Sequence, residues 1–494
     1  MSADLNSLIL AKSLAVIEKT RRRVEQIDGA EFPTPSSESA RSLLQRALIA
    51  LADKRAWKDM EPDVFYNCSI NIQQLVEHLE ASNSAHISWP LVSCCDQIWT
   101  KFFGNGGAQV FYSVTSDYDY SIQRFSLDLG WVLNGVLPKK QIETVIGKER
   151  LYCLRLASVE DANLPLYANI GHEFGHAFFD AHEKGIRALV DAECGAVLES
   201  ILSELPPSED AKRLASLGES VRTVIHKFAT ELFCDVIGLL ISGPAFFLSL
   251  HESTVWLLED ETQGVWSSTH PSRRFRLSCL SKRVKASTFE AELAELLTKL
   301  KKEASKKGKL TMEEMTTEWL RSIGGYYSSI PVDHGGDRIS LARLAVPADD
   351  RALLESAIGD HLDELKGGLE NFVGRCTSQF PPLVSKIKEF PPVSAKEVFE
   401  LLRRLESHVL PNIFPDGSLR GAPASFGAIL NASAIYRICI LASAEDVGDP
   451  EAIYRAIQMI ERLTAKALEV SFIQRDFNAW QMSRENGVKT DAVS

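Results

Sequence analysis

Apolar residues recur three and four positions apart through most of this chain, and that spacing predicts helices. Near the N-terminus it predicts helices over Leu5–Gln26, Glu38–Lys54 and Ile70–Leu79. The segment Phe32-Pro33-Thr34-Pro35-Ser36-Ser37 reads as the loop between the first two. The pattern then changes. Gln109–Thr115 and Tyr120–Leu129 are rich in aromatic and β-branched residues and predict strands, with Ser116-Asp117-Tyr118-Asp119 as a hairpin turn between them. Arg150–Ala157 places Leu151, Cys153 and Leu156 against polar neighbours and predicts a third strand. From Leu164 the helical spacing returns. It continues through Glu313–Ser322, Asp350–Leu369, Ala395–His408, Ala424–Leu441 and Glu451–Ala467. Loops such as Phe390-Pro391-Pro392 and Pro415-Asp416-Gly417 separate these later helices.

The longest uncharged apolar stretch, Val236–Leu250, is interrupted by Gly243-Pro244. It falls short of the roughly 20 residues that cross a bilayer, so it predicts a buried core helix with a break. Thr298–Lys309 carries Lys299, Lys301, Lys302, Lys306, Lys307 and Lys309 against Glu303, and predicts a solvated, flexible connector.

Composition narrows the class. At 494 residues the chain is long enough for several hydrophobic cores, and a formal charge of −12 argues against a general affinity for nucleic acid or anionic membrane. The nine cysteines form no CxxC pair. Scattered, unpaired thiols fit a reducing compartment, and Arg21–Arg23 follow the first apolar residues instead of preceding them, unlike a secretory leader. The expected location is cytoplasmic.

The chemistry concentrates in Gly171-His172-Glu173-Phe174-Gly175-His176. On a helix His172 and His176 stack on one face and can share a metal ion, with Glu173 close enough to take a proton from water at that ion. Zn²⁺ lowers the pKa of such water to about 7. A catalytic zinc needs a third protein ligand. His182 lies at the third-histidine spacing of HExxHxxGxxH enzymes, but Phe179 replaces the glycine that would turn the chain back. If the helix continues, His182 is rotated by about 240° from His176. Glu231 is the better candidate. It opens Glu231-Leu232-Phe233-Cys234-Asp235 within an apolar helical run, and two carboxylates on one buried helix face call for a metal or basic partner. Asp235 then suits a hydrogen bond to a zinc-bound imidazole, and Cys234 reads as a small residue packed between helices. His226 is rotated away from Glu231 and His334 reads as a loop residue; neither is assigned to the metal. Phe103-Gly104-Asn105-Gly106-Gly107 lacks the Lys-Ser/Thr of a phosphate loop and reads as a turn.

His172-Glu173-x-x-His176 followed by Glu231-x-x-x-Asp235 resembles the gluzincin metallopeptidases. Thr269-His270-Pro271-Ser272-Arg273-Arg274-Phe275-Arg276 is similar to the T-H-P-x-x-x-x-R segment of the family that includes the CaaX prenyl proteases and the bacterial membrane heat-shock proteases. The three blocks occur in that family's order, within about residues 163–280. Two departures are clear: Cys234 stands where the family usually has alanine, and no membrane-spanning stretch is present.

The resemblance implies a zinc-dependent peptidase acting on a peptide or protein substrate. His172, His176 and Glu231 would bind Zn²⁺, Glu173 would be the general base, and His270 would donate to the developing oxyanion. Asp235 would hold a zinc imidazole, and Arg276 would clamp a buried carboxylate. The expected fold is α+β and predominantly helical, a zincin-like core with a small β-sheet. The expected regions are a helical N-terminal region (1–105), the peptidase core (106–290), a lysine-rich linker (291–310) and a helical C-terminal region (311–494). In zincin folds a strand edge beside the metal holds an extended peptide by strand addition, and one of the three predicted strands, Gln109–Thr115, Tyr120–Leu129 or Arg150–Ala157, would serve in that way. The alternative is a non-catalytic zinc-containing binding or regulatory protein on the same fold, against which an intact Glu173 argues.

Overall fold

The computed structural model describes residues 5–27, 32–53, 60–83, 89–104, 107–115, 120–148, 150–157, 164–205, 211–255, 264–307, 337–414, 421–447 and 449–491. The chain is mostly helical with small sheets. It divides into two compact units, residues 1–161 and 162–494. Both the sheet and the C-terminal helices are therefore grouped differently from the expected partition.

The first unit opens with α1 (Leu5–Gln26), α2 (Pro35–Ala52), α3 (Pro62–Glu80) and α4 (Trp89–Phe103). Proline sits in the first turn of α2 and of α3, where its missing N–H costs nothing. Helix α2 buries Ala40, Leu43, Leu44, Ala47, Leu48 and Leu51, the stripe that the spacing predicts. Gly104, with φ +70°, ends α4 as the expected turn residue. Strands β1 (Gln109–Thr115), β2 (Ser121–Gln123) and β3 (Leu151–Ala157) form one sheet in the order β1-β3-β2. β1 and β3 are parallel, with Gln109 opposite Leu151, and β2 is antiparallel to β3.

β1 and β2 are not neighbours and so do not pair as the expected hairpin, whose turn, Ser116-Asp117-Tyr118-Asp119, lies outside the described residues. The strand predicted over Tyr120–Leu129 is also cut short. From Phe125 the chain is helical (α5, Phe125–Leu133), because Phe125, Leu129, Val132 and Leu133 recur at helical spacing and are buried. With α6 (Lys139–Ile146) this helix forms part of the crossover that a parallel β1–β3 pair requires. Phe111, Leu151 and Cys153 share one core with Ile17, Leu43 and Leu75, which is why the sheet belongs to this unit.

The second unit is built on two long helices, α7 (Leu164–Glu204) and α8 (Ala211–Ser242). They run antiparallel: Gly171 lies against Gly238, Gly175 against Cys234, and Gly218 against Leu202. Gly243, with φ +62°, turns the chain into α9 (Pro244–Val255), so the apolar stretch Val236–Leu250 is a broken core helix as expected. Among the described residues, no helix is long and apolar enough to cross a membrane. Strand β4 (Val265–Ser267) leads into α10 (Arg273–Lys285) and then α11 (Thr288–Lys307). The lysine run is therefore helical to Lys307 and not a flexible connector: Phe289 and Leu293 anchor the helix, and lysine is a good helix former.

Strand β5 (Arg338–Ser340) pairs in parallel with β4. Helices α12 (Ala348–Asp360) and α13 (Leu362–Gln379) replace the single helix expected over Asp350–Leu369, with the break at His361. Then follow α14 (Pro381–Glu389), α15 (Ala395–Glu406), the pair β6 (Ile413–Phe414) and β7 (Ala422–Pro423), α16 (Phe426–Val447) and α17 (Pro450–Asp491). These helices pack on α7 and α8 and are not a separate region. Arg375 of α13 pairs with Glu193 of α7, and Asn431 of α16 donates to the Ser242 carbonyl at 2.8 Å. The helix expected over Glu313–Ser322 and His334 lie outside the described residues.

Candidate metal centre

Close helix packing sets the geometry. A Cβ on Gly171 would lie 3.0 Å from the Gly238 Cα, and one on Gly175 only 2.6 Å from the Cys234 Cα. The α7 and α8 backbones thus touch where the HExxH turn faces the Glu231 turn. His172 and His176 project side by side, with ring centroids 4.9 Å apart and nearly perpendicular planes. Phe246 of α9 stacks over His172 at 6.0 Å.

The sequence-predicted residues meet here. His172 Nδ1 hydrogen-bonds Asp235 Oδ1 at 3.0 Å, which leaves Nε2 aimed at Glu231 Oε2, 3.4 Å away. His176 Nε2 lies 3.7 Å from Glu231 Oε1. His270 Nε2 lies 3.5 Å from Glu231 Oε2. Arg276 donates from Nε to Asp235 Oδ2 at 2.8 Å and from Nη2 to Oδ1 at 2.6 Å, a two-pronged clamp on a fully buried carboxylate. Its Nη1 is 3.6 Å from Glu231 Oε2. Glu173 is buried on the same helix, and its charge reaches Cys234.

The His270 segment is built by a turn after β4. Ser267 N–H donates to the His270 carbonyl at 2.9 Å, and His270 N–H donates to Ser267 Oγ at 3.0 Å. Thr269 Oγ1 sits 2.7 Å from His270 Nδ1 and orients the half-exposed ring. Ser272 caps α10 by accepting from Phe275 N–H at 3.2 Å. The residues after the cap are nonetheless not a solvated basic run: Arg276 is buried on Asp235, and Arg274 pairs with Asp337. Trp266, buried between Phe228 and Phe275, anchors the turn from the β4 side.

His182 does not join the site. Its backbone kinks α7 (φ −124°, ψ 16°), and its ring packs against Phe178 at 4.6 Å and Phe380 at 5.9 Å. His226 bonds Asp191 and faces away from Glu231 as expected. Cys234 is the residue whose position the sequence did not reveal. One ligand atom each from His172, His176 and Cys234 lie within 4.8 Å of one another.

The electrostatics reflect crowding. Burial opposes charge on His172, but its bond to Asp235 and the negative charges of Glu231 and Asp235 outweigh this and push it up to about 10. Burial, then the neighbouring His172, pull His176 down to about 4. Burial also lowers His270, aided by Arg276. Burial raises the Glu231 and Asp235 carboxyls, but His172 and Arg276 outweigh it and hold both below the usual range. Burial and the charges of Glu231, Glu173 and Asp235 push the Cys234 thiol well up.

Two observations test the fit of a metal. Tetrahedral zinc with bonds of about 2.05 Å separates its nitrogen and oxygen ligands by about 3.4 Å, and the contacts from Glu231 to His172 and His176 are 3.4 and 3.7 Å. Glu231 Oε2 is buried and makes no hydrogen bond, although Arg276, His172 and His270 lie 3.4–3.6 Å away, so it retains a free lone pair that a metal ion can take. Two side chains thus offer a third donor beside the histidine pair: Glu231, whose oxygens lie 3.4 and 3.7 Å from the two Nε2 atoms, and Cys234, whose sulfur lies within 4.8 Å of a nitrogen of each ring. No protein-family model, curated protein or solved structure matches this chain.

Proposed function

We propose that this chain is a zinc-dependent metallopeptidase with a zincin-like core, in which His172, His176 and Glu231 hold the metal. The observation that carries the reading is the convergence of His172 Nε2, His176 Nε2 and His270 Nε2 on the buried Glu231 carboxylate, at 3.4, 3.7 and 3.5 Å, with Glu173 next to His172 on the same helix. Zinc held there would act as a Lewis acid and lower the pKa of water to about 7.

The chain's own residues do the rest. Asp235 accepts from His172 Nδ1–H and so fixes the ring with Nε2 toward the metal position. Arg276 neutralises Asp235 and anchors α10 against α8. Glu173 takes the proton of the attacking water and returns it to the departing amine. His270, with Thr269 donating to Nδ1, presents Nε2–H to the carbonyl oxygen as negative charge develops there.

The substrate is a peptide or protein. The strands over residues 109–157 belong to the first unit, whereas β4 is the strand that leads directly into the His270 turn. Eight free, buried cysteines among the described residues support a reducing, cytoplasmic setting.

The test combines metal analysis with a peptide-library digest. Wild type purified without chelator should carry a single zinc per chain. Glu173→Gln should keep the zinc and the fold while hydrolysis falls by roughly 10²- to 10⁴-fold. Equal cleavage by both proteins, or wild type that takes up no zinc, overturns the reading. Zinc binding with no cleavage by wild type selects the non-catalytic alternative.

A further inference from the structure

Glu231 and Cys234 lie three residues apart on α8, and both turn toward the HExxH helix. One is a hard oxygen donor, the other a soft sulfur donor. The sulfur is already alongside: a Cβ on Gly175 would sit 3.1 Å from Cys234 Sγ. Sγ, a His172 ring nitrogen and a His176 ring nitrogen lie within 4.8 Å of one another. Zinc bonds of about 2.3 Å to sulfur and 2.05 Å to nitrogen separate those ligands by about 3.6 Å in a tetrahedron, so a contraction of roughly 1 Å brings the sulfur into the shell. Independently, the buried Glu231 Oε2 makes no hydrogen bond even to Arg276, 3.6 Å away, and leaves a lone pair facing the two histidines.

Packing alone does not require a thiol here. Cys234 is fully buried between the helices, and its sulfur brings a donor as well as volume to this position.

Resting on the metallopeptidase reading, we propose that Cys234 is an additional, inhibitory metal ligand. Its sulfur joins His172, His176 and Glu231 to complete a four-donor shell. That shell closes the open position which separates catalytic from structural zinc sites. On ligation the S–H bond is replaced by a sulfur–metal bond, and the proton leaves to water. The sulfur-bound form does not turn over, and the hydrolysis measured for wild type comes from the fraction of molecules in which the sulfur has left the metal.

Cobalt(II) in place of zinc makes the ligation visible. The metal-free full chain is loaded with cobalt(II) and its absorption recorded. Wild type should take up a single cobalt and show, beside the visible bands of four-coordinate cobalt, a near-ultraviolet thiolate-to-cobalt charge-transfer band. Cys234→Ala and Cys234→Ser should each keep the cobalt and lose that band, the serine variant serving if the alanine variant does not fold. The zinc-loaded variants should turn over peptide faster than wild type. Bound cobalt without the charge-transfer band in wild type, or a band that survives in both variants, overturns ligation by Cys234 and leaves the metallopeptidase reading standing. Turnover no faster in the variants overturns the inhibitory role. Wild type that binds no cobalt overturns both readings together.

Discussion

Helices α7 and α8 share two histidine–aspartate pairs, and only one of them faces a cluster of further donor groups. In the first, His172 Nδ1 meets Asp235 Oδ1 at 3.0 Å; in the second, His226 Nε2 meets Asp191 Oδ1 at 3.0 Å. Each pair has a buried cysteine nearby, Cys234 and Cys194. The difference lies in what the pairs face. Asp235 is buried and clamped by Arg276, whereas the Asp191 side chain is half exposed. The free edge of His172 faces Glu231, His176 and His270, and these groups converge on a common point. The free edge of His226, by contrast, adjoins a cavity of about 10 Å³ lined by Val190, Leu198, Ile225 and Gly195 with Arg222, room for about one water. A buried histidine–aspartate bond is therefore poor evidence for chemistry. Convergence of further donors on the second ring nitrogen distinguishes the two.

The sharpest way to break this contrast is to remove the clamp. Arg276→Ala leaves Asp235 charged and buried, and should cost about 3–5 kcal/mol in urea unfolding of metal-free protein. Asp191→Ala, at a half-exposed carboxylate, should cost no more than about 1 kcal/mol. A small loss at Arg276 would mean that Asp235 does not depend on it, and the first cluster would resemble the second.

Next in size is His270. If it donates to the developing oxyanion, His270→Ala should lower kcat by about 10²-fold with zinc content unchanged. His226→Gln should leave both kcat and zinc unchanged. A normal kcat in His270→Ala would reduce the turn after β4 to a structural element.

How much of this was legible follows from which relations are local. The i, i+4 rule placed His172 with His176 and Glu231 with Asp235, because a helix fixes those relations within a few residues. The requirement that buried carboxylates be paired pointed to Glu231 and to a partner for Arg276. Cys234 was read as packing because its distance from the histidines depends on how closely α7 and α8 approach. That approach is set by matching Gly171 and Gly175 with Gly238 and Cys234, in segments some 60 residues apart in sequence. The sheet failed for the same reason: β2 pairs with β3, not with the adjacent β1. The lysine run misled because charge was weighed before period, although Phe289 and Leu293 already carried the helical spacing.

Asp235→Asn sharpens the contrast further, since it preserves shape and removes charge. Metal affinity should weaken by roughly 10- to 100-fold, the usual consequence of altering a group that holds a ligating imidazole. Asp191→Asn should leave affinity unchanged in the same competition titration. Equal effects would place both aspartates outside the metal's influence.

The smallest effects come from two glycines of α7, one beside each cluster, and here the sign is the prediction. Alanine is a better helix former than glycine by about 1 kcal/mol, so each Gly→Ala change starts with that gain. At Gly195, on the wall of the second cavity, a Cβ meets nothing within 4 Å. Gly195→Ala should therefore keep most of the gain and raise Tm. At Gly175 the new carbon would lie 2.6 Å from the Cys234 Cα, and backbone cannot move aside as a side-chain tip can. Overpacking of this kind costs about 1–3 kcal/mol, enough to cancel or reverse the gain. Relief comes only by parting α7 from α8, which carries His172 and His176 away from Glu231. Gly175→Ala should thus lower both Tm and zinc affinity, while Gly195→Ala raises Tm and leaves zinc affinity alone. If Gly175→Ala instead behaves like Gly195→Ala, the backbone contact between the two helices does not set the ligand spacing, and the geometry of the first cluster must be held from the Arg276 side.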